Sequence, residues 1–82
     1  MKSEIFNIAI SRRQKIKFIY NLQPVEIEPY LLMVNKYGNK VVYGRVNISN
    51  EIKVFEFKKI FNIKVLPYQR FSPIIPILKY LN

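Results

Sequence analysis

Basic and aromatic side chains alternate along one short segment of this chain. Lys53, Phe55, Phe57 and Lys59 recur at intervals of two residues, the spacing that places side chains on one face of a β-strand. Aromatic rings stack on nucleobases for about 1–3 kcal/mol each, while cationic groups follow the phosphates of a single strand. The pattern therefore predicts a surface that binds single-stranded nucleic acid.

The two phenylalanines also have a second interpretation. Large aromatic side chains lie in protein cores more often than on surfaces. Phe55 and Phe57 are therefore expected to fill the core, with the lysine stems reaching past them into solvent. Phe55 is kept as a candidate contact, and the full set of predicted ligand-binding residues is Lys53, Lys59, Arg45, Tyr43, Tyr20, Arg12, Arg13 and Phe55.

Three members of this set, Arg12, Arg13 and Tyr20, keep an alternative. The run that holds Arg12, Arg13, Lys15 and Lys17 is the densest in positive charge. It could contact phosphates, or it could place cations at the carbonyl end of a helix, where the helix dipole favours them. Tyr20 could likewise contact a ligand through its hydroxyl, or lie buried with that hydroxyl satisfied.

The overall charge favours an anionic partner. The 82 residues include 14 lysines and arginines against five acidic residues, for a formal net charge of +9. Lysine and arginine displace condensed counterions from phosphates, which gives a salt-dependent affinity for polyanions. Nucleic acid or a nucleotide-like ligand is the partner that this balance predicts; the alternative is a merely well-solvated surface.

The residue types argue against catalysis. The chain has no histidine, cysteine or aspartate, and its two glycines, Gly38 and Gly44, form no phosphate-binding loop. Glu26 and Glu28 alternate on one strand, but an exposed polar face explains both, and nothing completes an acid-base or metal set. We expect no enzyme activity, no catalytic residue, no metal and no cofactor.

Length and composition indicate one domain outside the membrane. Half of the residues are hydrophobic and 15% are aromatic, which supplies a core without disulfides or metal. The absence of cysteine agrees with a reducing compartment. The start, Met1-Lys2-Ser3-Glu4, has no long apolar run typical of a signal peptide. These features predict a cytoplasmic protein with no membrane partner.

Periodicity predicts the elements that position these residues. Apolar residues at three- and four-residue steps indicate a helix over residues 4–13, after which the period changes to two. Alternating segments separated by turns then indicate five strands, the second kinked at Pro29 and the last ended by Pro67. The strands are expected at residues 15–20, 25–33, 40–48, 52–60 and 61–66. Such a sheet favours a small SH3-like or Sm-like β-barrel.

The C-terminal tail, residues 67–82, suggests another function. Its segment from Ile74 to Leu81 is apolar and interrupted by Pro76. Exposed apolar segments often mark interaction sites. The alternative function is therefore a protein-interaction or homo-oligomerisation module that uses this tail.

Several short pieces, taken in order, resemble the WYL domain. They are Ala9-Ile10, Ile16-x-Phe18-x-Tyr20, Glu28-Pro29-Tyr30, Phe55-x-Phe57-x-Lys59-Ile60, and Val65-Leu66 with Phe71. The resemblance implies an Sm-like, SH3-like barrel after a helix. It also implies a ligand-sensing regulatory module of the kind found in bacterial transcription factors and CRISPR-associated proteins, several of which bind nucleic acid.

The chain departs from the WYL pattern at three points. The naming Trp-Tyr-Leu tripeptide falls on Lys40-Val41-Val42, and the two arginines flanking the phenylalanine strand become Lys53 and Lys59. Lysine lacks the planar fork with which arginine grips a phosphate. Ahead of the predicted barrel, the residues given are expected to form one short helix and not a winged helix-turn-helix. The resemblance thus implies a stand-alone, degenerate WYL-like module that acts by binding.

Overall fold

The computed structural model describes residues 2–71, apart from the side chains of residues 68 and 69. The apolar tail segment from residue 74 to residue 81 lies outside these residues. The elements, in chain order, are α1 (Lys2–Arg12), β1 (Gln14–Tyr20), β2 (Gln23–Val34), β3 (Lys40–Val46), β4 (Ile52–Glu56), the 3₁₀ helix η1 (Phe57–Lys59) and β5 (Ile60–Arg70).

The five strands form one antiparallel sheet behind the N-terminal helix. Their order is β4-β3-β2-β1-β5, so β4 and β5 are the two edges. The prediction of a mainly β fold with one N-terminal helix and five strands is confirmed. The described strands do not close the sheet, because no hydrogen-bonded ladder joins β4 to β5.

A short connection nevertheless forces the sheet to curl. The two edge strands are joined by η1 alone, which separates Glu56 from Ile60. A flat sheet would place its edges about 19 Å apart across four strand spacings. Four residue steps reach at most about 14 Å, and less in a 3₁₀ helix, which rises about 2 Å per residue. The edges must therefore bend toward each other.

An aromatic cluster fills the inside of this curl. Phe6 of α1 stacks on Phe57 at 5.3 Å between ring centroids and meets the edge of Phe18 at 6.2 Å. Phe55 packs edge-on against Phe18 at 5.2 Å and against Tyr20 at 5.0 Å. The rings join α1, β1, β4 and η1, so this cluster holds the helix and both halves of the sheet together.

The structure corrects several predicted boundaries. The helix covers residues 2–12 and ends where Arg13 adopts a φ of 57°, a left-handed residue of the kind that commonly terminates helices. The predicted strand 52–60 stops at Glu56, because the chain must turn through η1 to reach the other edge. Pro67 does not end β5, since an edge strand tolerates a missing N–H.

The β1–β2 hairpin turns through two residues with positive φ. Asn21 has a φ of 51° and Leu22 a φ of 65°, the combination found in two-residue turns that match strand twist. Asparagine tolerates this region, whereas a side chain such as leucine is disfavoured there. Leu22 is 93% exposed, so no packing offsets its strained backbone.

Replacing Leu22 with glycine should stabilise the protein. Leu22→Gly removes the steric cost of the left-handed backbone and creates the Asn-Gly sequence favoured in this turn. We expect the free energy of unfolding to rise by about 1 kcal/mol, measured by urea denaturation. The opposite change, Gly38→Ala, serves as the control: Gly38 has a φ of 81° and open space around it, so alanine should destabilise through backbone strain alone. A lower stability of Leu22→Gly would contradict this account of the turn.

Candidate anion-binding face

The outer face of β1 carries basic residues. Ile16 and Phe18 are buried in the core, so the alternation of a strand points Lys15, Lys17 and Ile19 outward. Lys17 is exposed and Lys15 is half-buried. β1 thus has one face in the core and an outer face that carries two lysines.

Two lysines face each other across the β1–β5 ladder. Lys17 is directly opposite Lys64, and like charges in that position destabilise a sheet. Within residues 2–71 neither ammonium group makes a hydrogen bond or an ion pair. On the other side Lys17 is opposite Glu26 of β2, but no ion pair joins them. The pair therefore places two ammonium groups side by side, and neither is engaged by a hydrogen bond or an ion pair within the described residues.

The pairing of β1 with β5 is irregular beside this pair. The register shifts between Lys17 and Ile19, where Asn62 of β5 has a φ of 54°. Such an irregularity is a β-bulge, which bends the strand and redirects its side chains. A cleft of about 540 Å³ lies there, lined by Lys17, Phe18, Ile19, Asn62, Ile63 and Lys64. The cleft is lined by both lysines, so an anion that enters it from the outer face can contact both ammonium groups.

An apolar row runs beside the lysine pair. Ile19 is opposite Phe61 of β5 and opposite Pro24 of β2, and Ile48 of the β3–β4 turn lines a second cleft with Pro24. Phe61 is 60% exposed, and Ile48 is 93% exposed. The Lys2 ammonium lies 5.7 Å from the centre of the Phe61 ring. The Phe61 ring is thus exposed to solvent and has one ammonium group near it.

The two rows are spaced like the two parts of a nucleotide. Ile19 follows Lys17 by two residues, a rise of about 6.6 Å along the strand. A ligand that lies across the strands could place phosphates on the basic row, Lys17 and Lys64, and an apolar ring on the apolar row, Phe61, Ile19, Pro24 and Ile48. We call these two rows together the amphipathic face.

A second polar cluster lies on β2 and β3. One carboxylate oxygen of Glu28 accepts hydrogen bonds from the Tyr30 hydroxyl at 2.8 Å and from Arg45 Nε at 3.0 Å, and Arg45 Nη2 lies 2.8 Å from it. Glu28 is buried, and the Phe71 ring meets Tyr30 edge-on at 5.5 Å. The cluster satisfies a buried carboxylate from within the protein, as burial of a charge requires.

The structure separates the residues that the sequence grouped as one site. Arg45 is engaged by Glu28 and so is not an open cation. Arg45 and Tyr43 share one face of β3, whereas Lys53 is opposite Gly44 and belongs to the other face. Lys53 is exposed and has no hydrogen bond or ion pair within residues 2–71.

Three other predicted contacts are engaged within the domain. Phe55 is only 4% exposed, which corrects its place among the candidate contacts: its ring fills the core. Tyr20 joins the same ring cluster, and its hydroxyl accepts a hydrogen bond from the Glu56 N–H at 3.2 Å. Lys59 belongs to η1 and lies 3.4 Å from the Glu56 carboxylate.

The end of α1 holds the last two predicted residues. Arg12 and Arg13 are exposed and make no side-chain hydrogen bond or ion pair within residues 2–71. The Arg13 carbonyl accepts a hydrogen bond from the Phe71 N–H at 3.0 Å. These arginines border the domain where β5 ends, since Gln14 is opposite Arg70, and they add to its positive field.

Sequence reasoning missed Lys64 and Phe61. The alternation of residues 61–66 is broken by the bulge at Asn62, so Phe61 and Lys64, three residues apart, both face outward. Period-two counting assigns them to opposite faces. Asn62, between Phe61 and Ile63, was the one residue that could have indicated the bulge from sequence. Asparagine adopts positive φ more readily than most residues.

Three further findings concern metal binding, membrane spanning and similarity to known proteins. Among residues 2–71 no group of three acidic side chains is placed to hold a metal ion. None of the helices in that range is long and apolar enough to cross a membrane. No family model, curated protein or solved structure matches the chain.

Tyr30 should titrate late in the folded protein. Burial, and secondarily the hydrogen bond to Glu28, raise the pKa of Tyr30 from 10.0 to about 12. The folded state holds this proton more tightly than the unfolded state, so stability is independent of this group below pH 10 and falls as the pH rises from 10 toward 12. Absorbance titration of phenolate formation should show a late step that Tyr30→Phe removes. A late step that persists in Tyr30→Phe would contradict the assignment.

Proposed function

We propose that this protein is a non-enzymatic binding module that captures single-stranded nucleic acid, or a nucleotide-like anion, on the amphipathic face. The observation that carries the proposal is the pair formed by Lys17 and Lys64, which are opposite each other and lack a partner within residues 2–71. A bound phosphate removes the repulsion between them and gains charge-assisted hydrogen bonds. Binding thus relieves a cost that the folded protein carries.

The exposed aromatic ring favours a single strand over a duplex. Bases in a duplex are stacked on one another, whereas those of a single strand can stack on a protein ring. Phe61 offers such a ring at 60% exposure, beside the Lys2 ammonium, which donates a hydrogen bond to the Phe57 carbonyl. The same arrangement distinguishes nucleic acid from anions without rings, which would use the basic row alone.

The finer architecture and biological role belong to the same proposal. The short η1 connection and the strand order support a strongly curled, Sm-like or SH3-like barrel. With the resemblance to the WYL domain, this supports a cytoplasmic regulatory module in transcription control or CRISPR-type defence. Binding alone would be its contribution, because the chain has no histidine or cysteine for common acid-base or nucleophilic catalysis.

Charge reversal at the lysine pair tests the proposal. Lys64→Glu should weaken binding of a labelled single-stranded oligonucleotide by about tenfold at low salt, because the variant neutralises fewer phosphates. The slope of log affinity against log salt should become shallower by about 0.7 for each phosphate that is no longer neutralised. Fluorescence anisotropy at several salt concentrations measures both quantities.

Lys36→Glu is the matched control for this charge reversal. Lys36 is exposed in the β2–β3 turn, near Tyr37, at the far end of β2 from the amphipathic face. Lys36→Glu changes the net charge of the protein by the same amount as Lys64→Glu. It should weaken oligonucleotide binding only through the lower net positive charge, because Lys36 does not contact the bound strand. If Lys64→Glu and Lys36→Glu lose the same oligonucleotide affinity, binding depends on net charge and not on the lysine pair. If the wild-type protein binds no oligonucleotide, the proposed function is refuted.

Removal of the exposed ring tests base stacking. Phe61→Ala should weaken oligonucleotide binding by about 1–3 kcal/mol and leave binding of inorganic polyphosphate unchanged. Tyr37→Ala is the control, because Tyr37 is also an exposed ring, at 75%, with a lysine ammonium 5.2 Å from its centre. Tyr37 lies in the β2–β3 turn, away from the amphipathic face. An oligonucleotide affinity unaffected by Phe61→Ala would contradict stacking on this ring.

A further inference from the structure

A second, smaller cleft adjoins the basic row. It has a volume of about 250 Å³ and is lined by Lys17, Pro24, Val25, Glu26, Val46, Asn47 and Ile48. Sites for drug-sized ligands measure about 300–1,000 Å³, so this cleft suits a smaller group. Its walls are apolar on the side of Pro24 and Ile48 and polar on the side of Glu26 and Asn47.

The polar wall offers both an acceptor and a donor. Glu26 is half-buried, and its carboxylate, when ionised, can only accept hydrogen bonds. No hydrogen bond or ion pair within residues 2–71 engages that side chain. The Asn47 carbonyl oxygen accepts from the Lys15 ammonium at 3.1 Å, which leaves the amide NH₂ of Asn47 as the group that can donate.

Backbone contacts hold this wall in place. The Asn47 N–H donates to the Glu26 carbonyl at 2.9 Å, and the Val46 N–H donates to the Glu51 carbonyl at 2.9 Å. The β3–β4 turn is thereby fixed against β2. The two polar side chains therefore stand on backbone segments whose relative position is set by the fold, which is what a specific site requires.

We propose that this cleft reads one base of the bound strand and prefers guanine. The inference rests on the proposed function and names its specificity. Guanine presents two adjacent donors, N1–H and N2–H₂, beside the O6 acceptor. The Glu26 carboxylate accepts from both donors, and the Asn47 amide donates to O6. Adenine and cytosine offer one amino donor, and thymine places two carbonyl oxygens around its single N–H.

The cleft is joined to the phosphate site. Lys17 lines both this cleft and the larger cleft between β1 and β5. A nucleotide whose phosphate lies between Lys17 and Lys64 can therefore reach the smaller cleft with its base. Pro24 and Ile48 supply the apolar surface for the flat faces of that base.

Single-guanine oligonucleotides provide the test. Wild-type protein should bind an oligothymidine that contains one guanine about tenfold more tightly than oligothymidine alone, measured by fluorescence anisotropy. In Glu26→Gln this preference should disappear, because the amide oxygen accepts from one donor and its NH₂ opposes the other. Oligothymidine should at the same time bind more tightly to Glu26→Gln, since a negative charge has been removed from the face.

The control removes the same charge elsewhere. Glu51 is exposed in the β3–β4 turn, and Glu51→Gln should retain the guanine preference. Equal binding of both oligonucleotides by the wild type, or a preference that survives in Glu26→Gln, would overturn the base-reading role while the binding function stands. Failure of the wild type to bind any oligonucleotide would overturn the function and this inference together.

Discussion

The three-residue link between the two edge strands determines most of this structure. Because η1 alone separates Glu56 from Ile60, the five-stranded sheet must curl until its edges are within reach. The curl encloses the ring cluster of Phe6, Phe18, Tyr20, Phe55 and Phe57, and α1 covers its open side. The inner face is thereby committed to packing, and the outer face is left for contacts with other molecules.

Carboxylates are distributed unevenly over that outer surface. The Glu28 carboxylate is paired with Arg45 and accepts a hydrogen bond from the Tyr30 hydroxyl. The Glu56 carboxylate lies 3.8 Å from the Lys58 ammonium and 3.4 Å from the Lys59 ammonium. With only five acidic residues in the chain, few remain to balance the β1–β5 side. Lys17 and Lys64 are therefore cations without an ion pair in the described part of the chain, whereas Arg45 is bound to Glu28.

Alternation and turn chemistry predicted the elements better than the site. The helix, the five strands and the two faces of β1 follow from periods of three to four and of two, since burial imposes these periods directly. The site depends on register and on a bulge, which are properties of strand pairs. No count along one strand could show that Lys64 is opposite Lys17, or that Asn62 turns Phe61 and Lys64 to the same side.

The position of β5 at an edge explains why irregularity and binding coincide. An edge strand has one ladder to satisfy, so the bulge at Asn62 and the proline at position 67 disturb only the pairing with β1. A central strand would lose pairing on both sides. The bulge lies beside the lysine pair and turns the Phe61 ring to the same side of the sheet as Lys64, so one local distortion brings the aromatic surface next to the two cations. A straight β5 would turn Lys64 or Phe61 inward and dismantle the amphipathic face.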